Sequence, residues 1–133
     1  MAVKIITTKK GGPVQGGEKK AYTVDAQGKA LGRVATEVAS IVLGKASAQY
    51  VQNEVLPVTV NVVNASKMKL HEKRVAQKDF THYTGSPGGL RHTSMQKMID
   101  TKGITEVLRK AIDGMIPRNK LRKERMKRVT IND

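Results

Sequence analysis

The sequence has no cysteine and no tryptophan, and only four of its residues are aromatic. Without cysteine the chain has neither disulfides nor a thiolate metal site, so its fold does not depend on the redox state of a compartment. Proteins that bind single-stranded nucleic acid stack bases on several exposed rings. We expect Tyr22 and Phe80 in the core, which leaves few rings for stacking. Any nucleic-acid binding is therefore expected to use backbone and shape, with little reading of bases.

Long hydrophobic runs are also missing, and so are the residue clusters of a catalytic or metal site. A membrane-spanning helix needs about 20 consecutive apolar residues, and the apolar part of the N-terminus is too short for a secretory signal. His71, His82 and His92 do not stand four residues apart on a convincing helix, and no paired carboxylates lie near them. We therefore expect no membrane partner, enzyme activity, metal, cofactor or small-molecule substrate.

Acidic residues are too few for the basic ones, and the imbalance is uneven along the chain. The formal net charge is +14. Residues 21–66 have three basic and three acidic residues, whereas residues 1–20 have five basic residues and one acid, and residues 67–133 have 17 basic residues and seven acids. Like charges at this density repel one another and weaken a compact state. The distribution indicates a polyanionic partner, a flexible basic arm over residues 1–20 and a single domain over residues 21–133.

The neutral block has the pattern of a strand–helix–strand unit. Ala21–Asp25 predicts a short strand that ends at a glycine turn. Apolar residues from Leu31 to Val42 recur at three- and four-residue spacing, which predicts a helix that Gly44 ends. Val55–Val63 predicts a second strand, with a proline at its entrance. Such a unit places both strands parallel in one sheet, which indicates an α/β fold.

The next segment has less regular patterns. Residues 67–78 are mostly charged and only weakly periodic, residues 80–84 fit a strand end or an extended loop, and residues 85–89 must form a loop. Thr93 and Gln96 have the spacing of a capping box that opens a short helix. Gly103 is expected to end that helix.

The C-terminal part is expected to contain two further helices and a short strand. Residues 105–115 have amphipathic spacing, and Pro117 is expected to end this helix. Asn119 can cap a basic helix that extends to about Arg128, and residues 129–131 can add a strand. The residues expected to face inward from the first helix are Val107, Leu108, Ala111, Ile112 and Met115.

The segment 118–128 contains seven basic residues and one acid, Glu124. On a helix, positions 118, 122 and 125 share one face and positions 120, 123 and 127 share the adjoining face. Repulsion between cations four residues apart disfavours such a helix alone, whereas contact with phosphates releases counterions and favours it. The segment indicates a polyanion-binding helix, and a merely solvated basic face is the alternative.

The loop at residues 81–91 has the composition of a site for a phosphate backbone. Its glycines allow a close approach of the main chain, and Thr84 and Ser86 offer hydroxyl groups. Arg91 adds charge, His82 is a second candidate to do so, and Tyr83 offers one stacking surface. An ordinary connecting loop is the alternative.

The turn at residues 25–33 lies between a strand and a helix, where nucleotide sites occur. It matches neither the dinucleotide fingerprint nor a Walker loop. Arg33 beside the helix N-terminus can still hold a phosphate. The structural alternative assigns Gly32 to close helix–sheet packing and Asp25 to hydrogen bonds within the turn.

A resemblance to a known family rests on short motifs whose order and spacing are jointly specific. They extend from about Tyr22 to Ile131, and together they resemble the universal L-thirteen family of large-subunit ribosomal proteins. The motifs are Tyr22-x-Val24-Asp25-Ala26, Leu31-Gly32-Arg33-x-Ala35, Gly44-Lys45, Val62-Val63-Asn64-Ala65, Lys78-x-Phe80-x-x-Tyr83-Thr84-Gly85, Gly88-Gly89 and Ala111-Ile112-x-Gly114-Met115-Ile116-Pro117-Arg118.

The resemblance implies a three-layer α/β/α domain with a mostly parallel four-stranded sheet, in addition to the basic N-terminal arm and the C-terminal basic helix. It also implies a non-catalytic protein that binds large-subunit ribosomal RNA early in assembly, beside neighbouring ribosomal proteins and without forming a homo-oligomer. A cytoplasmic ribosome is expected, with an organellar ribosome as the less favoured alternative. The resemblance also implies that the loop at residues 84–89 and the basic residues after Pro117 face the RNA.

The charge pattern, the loop composition and the resemblance together define the candidate RNA-binding residues. Two other functions remain open at this point. One is a nucleoid-type DNA-binding protein, and the other is a small nucleotide-binding hydrolase or transferase. The candidate residues are Arg33, Lys45, Lys67, Lys69, Lys73, Lys78, His82, Tyr83, Thr84, Gly85, Gly88, Gly89, Arg91, Arg118, Lys120, Arg122, Lys123, Arg125, Lys127 and Arg128.

Overall fold

A computed structural model of the chain describes residues 4–6, 20–48 and 50–133, and for residues 4–6 it describes the backbone alone. The strands are β1 (Lys4–Ile6), β2 (Lys20–Asp25), β3 (Val58–Val63), β4 (Asp79–Tyr83), β5 (Leu90–Ser94) and β6 (Val129–Ile131). The helices are α1 (Leu31–Val42), α2 (Glu72–Gln77), α3 (Met95–Met115) and α4 (Arg122–Met126), and a 3₁₀ turn spans Ala65–Lys67.

The main sheet contains three parallel strands and an antiparallel strand at one edge. β2 runs parallel to β3, from the pair Lys20 and Val58 to the pair Asp25 and Val63. β6 runs parallel along the other side of β3, and β1 pairs antiparallel with β2. The strand order is β1-β2-β3-β6. The parallel strand–helix–strand unit and the last short strand predicted from the sequence are therefore confirmed.

The predicted basic arm is only partly within the described residues. Residues 4–6 form β1, and Lys20 is the first residue of β2. The rest of the arm, residues 1–3 and 7–19, lies outside the described residues. Its flexibility stays a prediction.

The core lies between the sheet and α1, and α3 packs against α1. Alternate residues Val58, Val60 and Val62 of β3 are buried, whereas Thr59 and Asn61 between them are exposed. This alternation is typical of a strand with one face against a core. A second helical layer over Thr59 and Asn61 is not seen within the described residues, so the three-layer arrangement stays a prediction.

α1 ends where its sequence predicts. Its apolar face is buried, from Leu31 through Val42. The N–H of Gly44 donates to the carbonyl oxygen of Ile41 at 2.9 Å, and Gly44 has a φ of +87°. A Cβ at this position would lie 2.5 Å from Cδ1 of Leu56. Glycine is favoured here by the backbone conformation, and a larger residue would also displace the end of the Leu56 side chain.

α3 consists of two helical parts that meet at Gly103, whose φ of 81° and ψ of 171° are not helical. The break that the sequence predicts at this glycine is confirmed. The predicted cap is wrong by one residue, because Ser94, not Thr93, accepts a hydrogen bond from the N–H of Lys97 at 3.4 Å. Thr93 is instead paired within β5. No helix in the described part of the chain is long and apolar enough to cross a bilayer.

The second part of α3 is amphipathic, with one exception to the predicted inward face. Val107, Leu108 and Ile112 are buried, and Ala111 is half-buried. Met115 is exposed, so its predicted inward position is wrong. In the last turn of the helix its sulfur accepts a hydrogen bond from the hydroxyl of Thr36 at 3.4 Å, while the next residue, Ile116, is buried in the core.

Candidate nucleic-acid interface

β4 and β5 form an antiparallel hairpin outside the main sheet, and we call it the ribbon (residues 79–94). The prediction of an extended segment at residues 80–84 is confirmed as a strand. β5 was missed, because its sequence Leu-Arg-His-Thr-Ser lacks the apolar alternation of a half-buried strand. Most of the ribbon from Thr81 to His92 is exposed, so it offers backbone and side chains on the surface.

The loop of the ribbon is compact and depends on glycine. The N–H of Thr84 donates to the carbonyl oxygen of Gly89 at 3.1 Å, and the N–H of Gly89 donates to that of Ser86 at 2.9 Å. A Cβ at Gly89 would overlap the Thr84 hydroxyl and lie 2.8 Å from the Ser86 carbonyl oxygen. Gly85 and Gly88 have φ values of +91° and +72°, which other residues rarely adopt. The loop predicted from composition is confirmed as a tight turn with an accessible main chain.

The two faces of the ribbon differ in chemistry. Successive side chains of a strand point to opposite faces. Phe80 packs against the core, and the pair His82 and Arg91 lies on the same face as Phe80, nearer the loop. Tyr83 and Leu90 are paired on the opposite face, away from the core. Arg91 and His82 are both exposed.

Two lysines from different elements converge on the Phe80 ring. The Nζ atoms of Lys78 and Lys110 lie 6.0 Å and 5.4 Å from the ring centroid. A cation over an aromatic face is attracted by the ring's negative π density. Neither ammonium group forms an ion pair within the described residues. Lys110 was not a predicted site residue, because its place on an amphipathic helix gave no sign of its proximity to Phe80.

α2 adds further cations beside the ribbon. It contacts both β5 and α3, and its residues Lys73 and Arg74 are exposed, as is Lys78 after its end. His71, Lys73, Arg74 and Lys78 line one shallow depression of about 540 Å³. The structure therefore brings two of the predicted residues, Lys73 and Lys78, close to the ribbon, and adds Arg74, which was not predicted.

Arg33 lies on a groove that continues this basic surface. Arg33 and Arg74 line one depression of about 800 Å³, together with Lys29 and its ion-pair partner Glu37. Gly32 also lines it, with open space where a Cβ would stand. The structural alternative for Gly32, close helix–sheet packing, is therefore wrong. Lys69 is connected to the same region, because its N–H donates to the carbonyl oxygen of Lys29 at 3.0 Å.

Asp25 has the turn role that the sequence indicates. Its Oδ1 accepts from the N–H of Gln27 and from Nδ2 of Asn64, each at 3.0 Å. The hydrogen bond from Gln27 is the main cause that lowers the pKa of Asp25 from its ordinary value, followed by the bond from Asn64. Neighbouring Lys29 and Lys67 lower this pKa further. Asp25 therefore stabilises the turn before α1.

The C-terminal basic segment is not the long helix that was predicted. α4 has five residues, and no side chain caps it. Asn119 contributes its backbone carbonyl oxygen, which accepts from the N–H of Arg122 at 3.1 Å. The helix is short because the chain must turn into β6 immediately afterwards, where Val129 pairs with Val60.

Arg125 is buried, with 1% of its surface exposed, so its predicted place on an RNA-facing helix face is wrong. Its Nη2 donates to the carbonyl oxygens of Gln52 and Glu54, both at 3.1 Å. Nη1 of Arg128 donates to the carbonyl oxygen of Leu56. These two arginines bind the connection between α1 and β3, which the positions of charged residues in the sequence do not reveal.

The remaining basic residues of this segment differ in how far they are exposed and free to contact RNA. Nε of Arg122 lies 3.2 Å from Oδ1 of Asp113, so Arg122 already has an acidic partner in the protein. The exposed candidates here are Arg118, Lys120, Lys123 and Lys127.

Of the candidates elsewhere in the chain, Lys45 lies at the other end of α1 from Arg33, so the two do not meet in one site. Lys45 and Lys67 are also exposed.

Acidic side chains neutralise little of the basic surface. Within the described residues only two ion pairs form, Lys29 with Glu37 and Arg122 with Asp113. The same part of the chain has no group of three histidine, aspartate or glutamate side chains that could hold a metal ion. The fold and the surface together define a small α/β protein with a cationic surface that suits a polyanion.

Comparison with known proteins identifies the family. The family model described as Ribosomal protein L13 matches residues 19–132, so the chain belongs to the ribosomal protein L13 family. Each of the following relatives is named large ribosomal subunit protein uL13. The protein of Geobacter sulfurreducens is 40% identical over 110 residues, which is 83% of this chain and 76% of the relative. The proteins of Clostridioides difficile and Thermus thermophilus are 41% and 37% identical over 114 residues, or 86% of this chain and 79% and 81% of the relatives.

Proposed function

We propose that this chain is a structural constituent of the large ribosomal subunit, where it binds and stabilises folded ribosomal RNA. The observation that carries the proposal is family membership over residues 19–132, with relatives named as large-subunit proteins. The family is one of structural proteins, which supports the expectation that the chain is not an enzyme. Its partners are large-subunit ribosomal RNA and neighbouring ribosomal proteins.

The surface supports an electrostatic mode of RNA binding. The ribbon, α2 and the groove at Arg33 form one basic region, and the exposed lysines after Pro117 add a second. Their ammonium and guanidinium groups bind phosphates and release condensed counterions. The α/β core fixes the backbone positions from which these side chains extend, so binding has to order the side chains but not the chain that holds them. Contacts of this kind recognise the shape of a folded RNA more than its sequence.

We place the protein in a cytoplasmic ribosome as an early assembly protein and a single copy without a homo-oligomer. The basic arm over residues 1–20 contributes further phosphate contacts. Residues 21–133 act as one RNA-binding domain.

Salt dependence of RNA binding tests the electrostatic mode. If about eight phosphates are neutralised, the log of the binding constant should fall with the log of salt at a slope of about −6 to −7. The measurement is filter binding of the purified chain to folded large-subunit ribosomal RNA, over salt concentrations from about 50 to about 400 mM. A slope shallower than about −2 would contradict the mechanism.

Association with the ribosome separates the proposal from its rivals. The full chain should travel with large subunits through a high-salt sucrose gradient. Duplex DNA should compete poorly with ribosomal RNA, whereas a nucleoid-type protein would prefer the duplex. Failure to sediment with large subunits, together with preference for DNA, would overturn the proposed function.

A further inference from the structure

Tyr83 and Leu90 are the two most exposed large hydrophobic side chains among the described residues. Their exposed fractions are 59% and 56%. They are also direct cross-strand partners at the loop end of the ribbon. Such partners have Cβ atoms about 5 Å apart, so the two side chains form one continuous apolar patch. Single exposed hydrophobic residues are ordinary, but a paired patch at the tip of a projecting hairpin suggests a binding surface.

The patch points away from the protein. Phe80 packs against the core, and side chains alternate along β4, so Tyr83 lies on the opposite face. The next pair on this outer face is Thr81 and His92, and both are exposed. No other described element therefore covers the ring of Tyr83.

The chemistry around the patch is that of a nucleic-acid site. The ribbon contains one acidic residue, Asp79, which lies at the far end of the outer face, two strand pairs from the patch. Arg91 and His82 lie on the other face of the same two strands, and the hydroxyl-bearing loop at residues 84–89 follows directly. An apolar surface beside a hydroxyl-bearing loop, with the Arg91 guanidinium on the reverse face of the same strands, suits a base joined to a phosphate backbone.

We propose that the Tyr83–Leu90 patch binds an unpaired base of the RNA, stacked on the tyrosine ring and bordered by the leucine. This inference rests on the proposed function and deepens it, because it assigns a ligand class to one face of the ribbon. Every base has a π face, so the contact tolerates any base but requires that it be unpaired. The Arg91 guanidinium lies on the opposite face of the ribbon, where it binds a phosphate of the same RNA strand.

A protein side chain is the less suitable occupant. Stable protein interfaces bury about 800 Å² on each partner, and two side chains on a hairpin provide only a fraction of that area. The polar residues Thr81 and His92, which flank the patch on the same face, also differ from the apolar centre of such an interface. One stacked base matches the size of the patch.

The test compares aromatic and aliphatic side chains at one exposed position. The full chain and its variants Tyr83→Phe and Tyr83→Leu are titrated against folded large-subunit ribosomal RNA, with Arg91→Gln as an electrostatic control. Tyr83→Leu is expected to weaken binding about tenfold with an unchanged salt slope, whereas Tyr83→Phe stays within about twofold of the original chain. Arg91→Gln should instead make the salt slope shallower by about 1. All variants should unfold at the same temperature, because both side chains are exposed.

Acylation of RNA 2′-hydroxyls then reports on the nucleotide itself. The original chain and Tyr83→Phe should constrain one unpaired nucleotide that becomes mobile again with Tyr83→Leu and not with Arg91→Gln. Equal affinities for Tyr83→Leu and Tyr83→Phe would overturn the inference while leaving RNA binding intact. If Tyr83→Leu stopped sedimenting with large subunits but kept its RNA affinity, the patch would bind a ribosomal protein, and the inference would be overturned as well. Absence of RNA binding by the original chain would overturn the proposed function itself.

Discussion

The guanidinium group of Arg125 donates a hydrogen bond of 3.1 Å to the backbone carbonyl oxygen of Glu54. A second bond of the same length joins the same nitrogen to the carbonyl oxygen of Gln52. The most basic part of the sequence therefore contains a residue that stabilises the protein interior and stays away from solvent. Burial of a cation without a carboxylate partner is costly unless its donors are satisfied, which these carbonyl groups achieve in part.

Replacement of Arg125 by glutamine is expected to destabilise the protein by about 2 to 3 kcal/mol. Both carbonyl oxygens would lose a charged donor, and hydrogen bonds to charged groups contribute about 1.5 to 3 kcal/mol. The measurement is the urea midpoint of the full chain. Lys123→Gln is the control, because Lys123 is exposed on the same helix, and it should change stability by less than about 0.5 kcal/mol. Equal midpoints for the two variants would contradict a structural role for Arg125.

Some features of this protein could be predicted from the sequence because they depend on local periodicity. α1 and its glycine end follow from apolar spacing and from one position with positive φ. β3 follows from a run of valines with alternate burial. In each case the pattern within a short segment determines which face enters the core.

Other features depend on contacts between distant segments and could not be predicted. Arg125 and Arg128 have the same charge as their neighbours, and only the position of residues 52–56 decides that they turn inward. Lys110 approaches Phe80 because α3 packs beside the ribbon. β5 has no apolar alternation, since most of the ribbon is exposed. The count of charged residues therefore predicted a basic surface, but it did not predict which cations are exposed on that surface and which bind within the protein.

The exposed lysines of the C-terminal segment are expected to contribute to RNA affinity without contributing to stability. Lys123→Gln with Lys127→Gln should weaken binding to all folded RNAs by a similar factor and make the salt slope shallower by about 2. The matched control is Lys97→Gln with Lys102→Gln, which also removes two exposed charges from outside the candidate site. Filter binding over a salt series measures both effects. The same change of slope for both double variants would indicate a general charge effect rather than a site.

Lys110 is expected to contribute one phosphate contact at the ribbon. Lys110→Gln should make the salt slope shallower by about 1, because the ammonium group near Phe80 has no ion pair within the described residues. Arg109→Gln changes the adjacent exposed position of the same helix and provides the control. RNA binding that depends on Arg109 and not on Lys110 would contradict the assignment.

The ribbon loop should be sensitive to a single added methyl group. In Gly89→Ala the new Cβ would overlap the Thr84 hydroxyl and press on the Ser86 carbonyl oxygen, so the turn must open. We expect faster proteolysis within residues 84–90 and weaker RNA binding, with a change in the urea midpoint equivalent to less than about 0.5 kcal/mol, because the loop lies outside the core. Gly114→Ala is the control, since nothing lies within 4 Å of a Cβ there. It should stabilise the second part of α3 by up to about 1 kcal/mol. A normal rate of loop proteolysis in Gly89→Ala would contradict the tight turn.

The turn at Asp25 should make stability depend on pH in the acidic range. The hydrogen bond from the Gln27 N–H, followed by that from Asn64, lowers the pKa of Asp25 in the folded protein below the unfolded value of about 3.9. A lowered pKa means that the ionised carboxylate stabilises the fold above the unfolded value, and that this contribution is lost as the pH falls through the folded value. The melting temperature of Asp25→Asn should therefore lie below that of the original chain at pH 6, and the difference should begin to shrink as the pH falls below the unfolded value of about 3.9. Asp100→Asn, at an exposed carboxylate that forms no ion pair with any other described residue, is the control and should show no such convergence. A constant difference between Asp25→Asn and the original chain from pH 6 to pH 3 would mean that the amide disturbs the turn by its shape, because a contribution from charge must disappear on protonation.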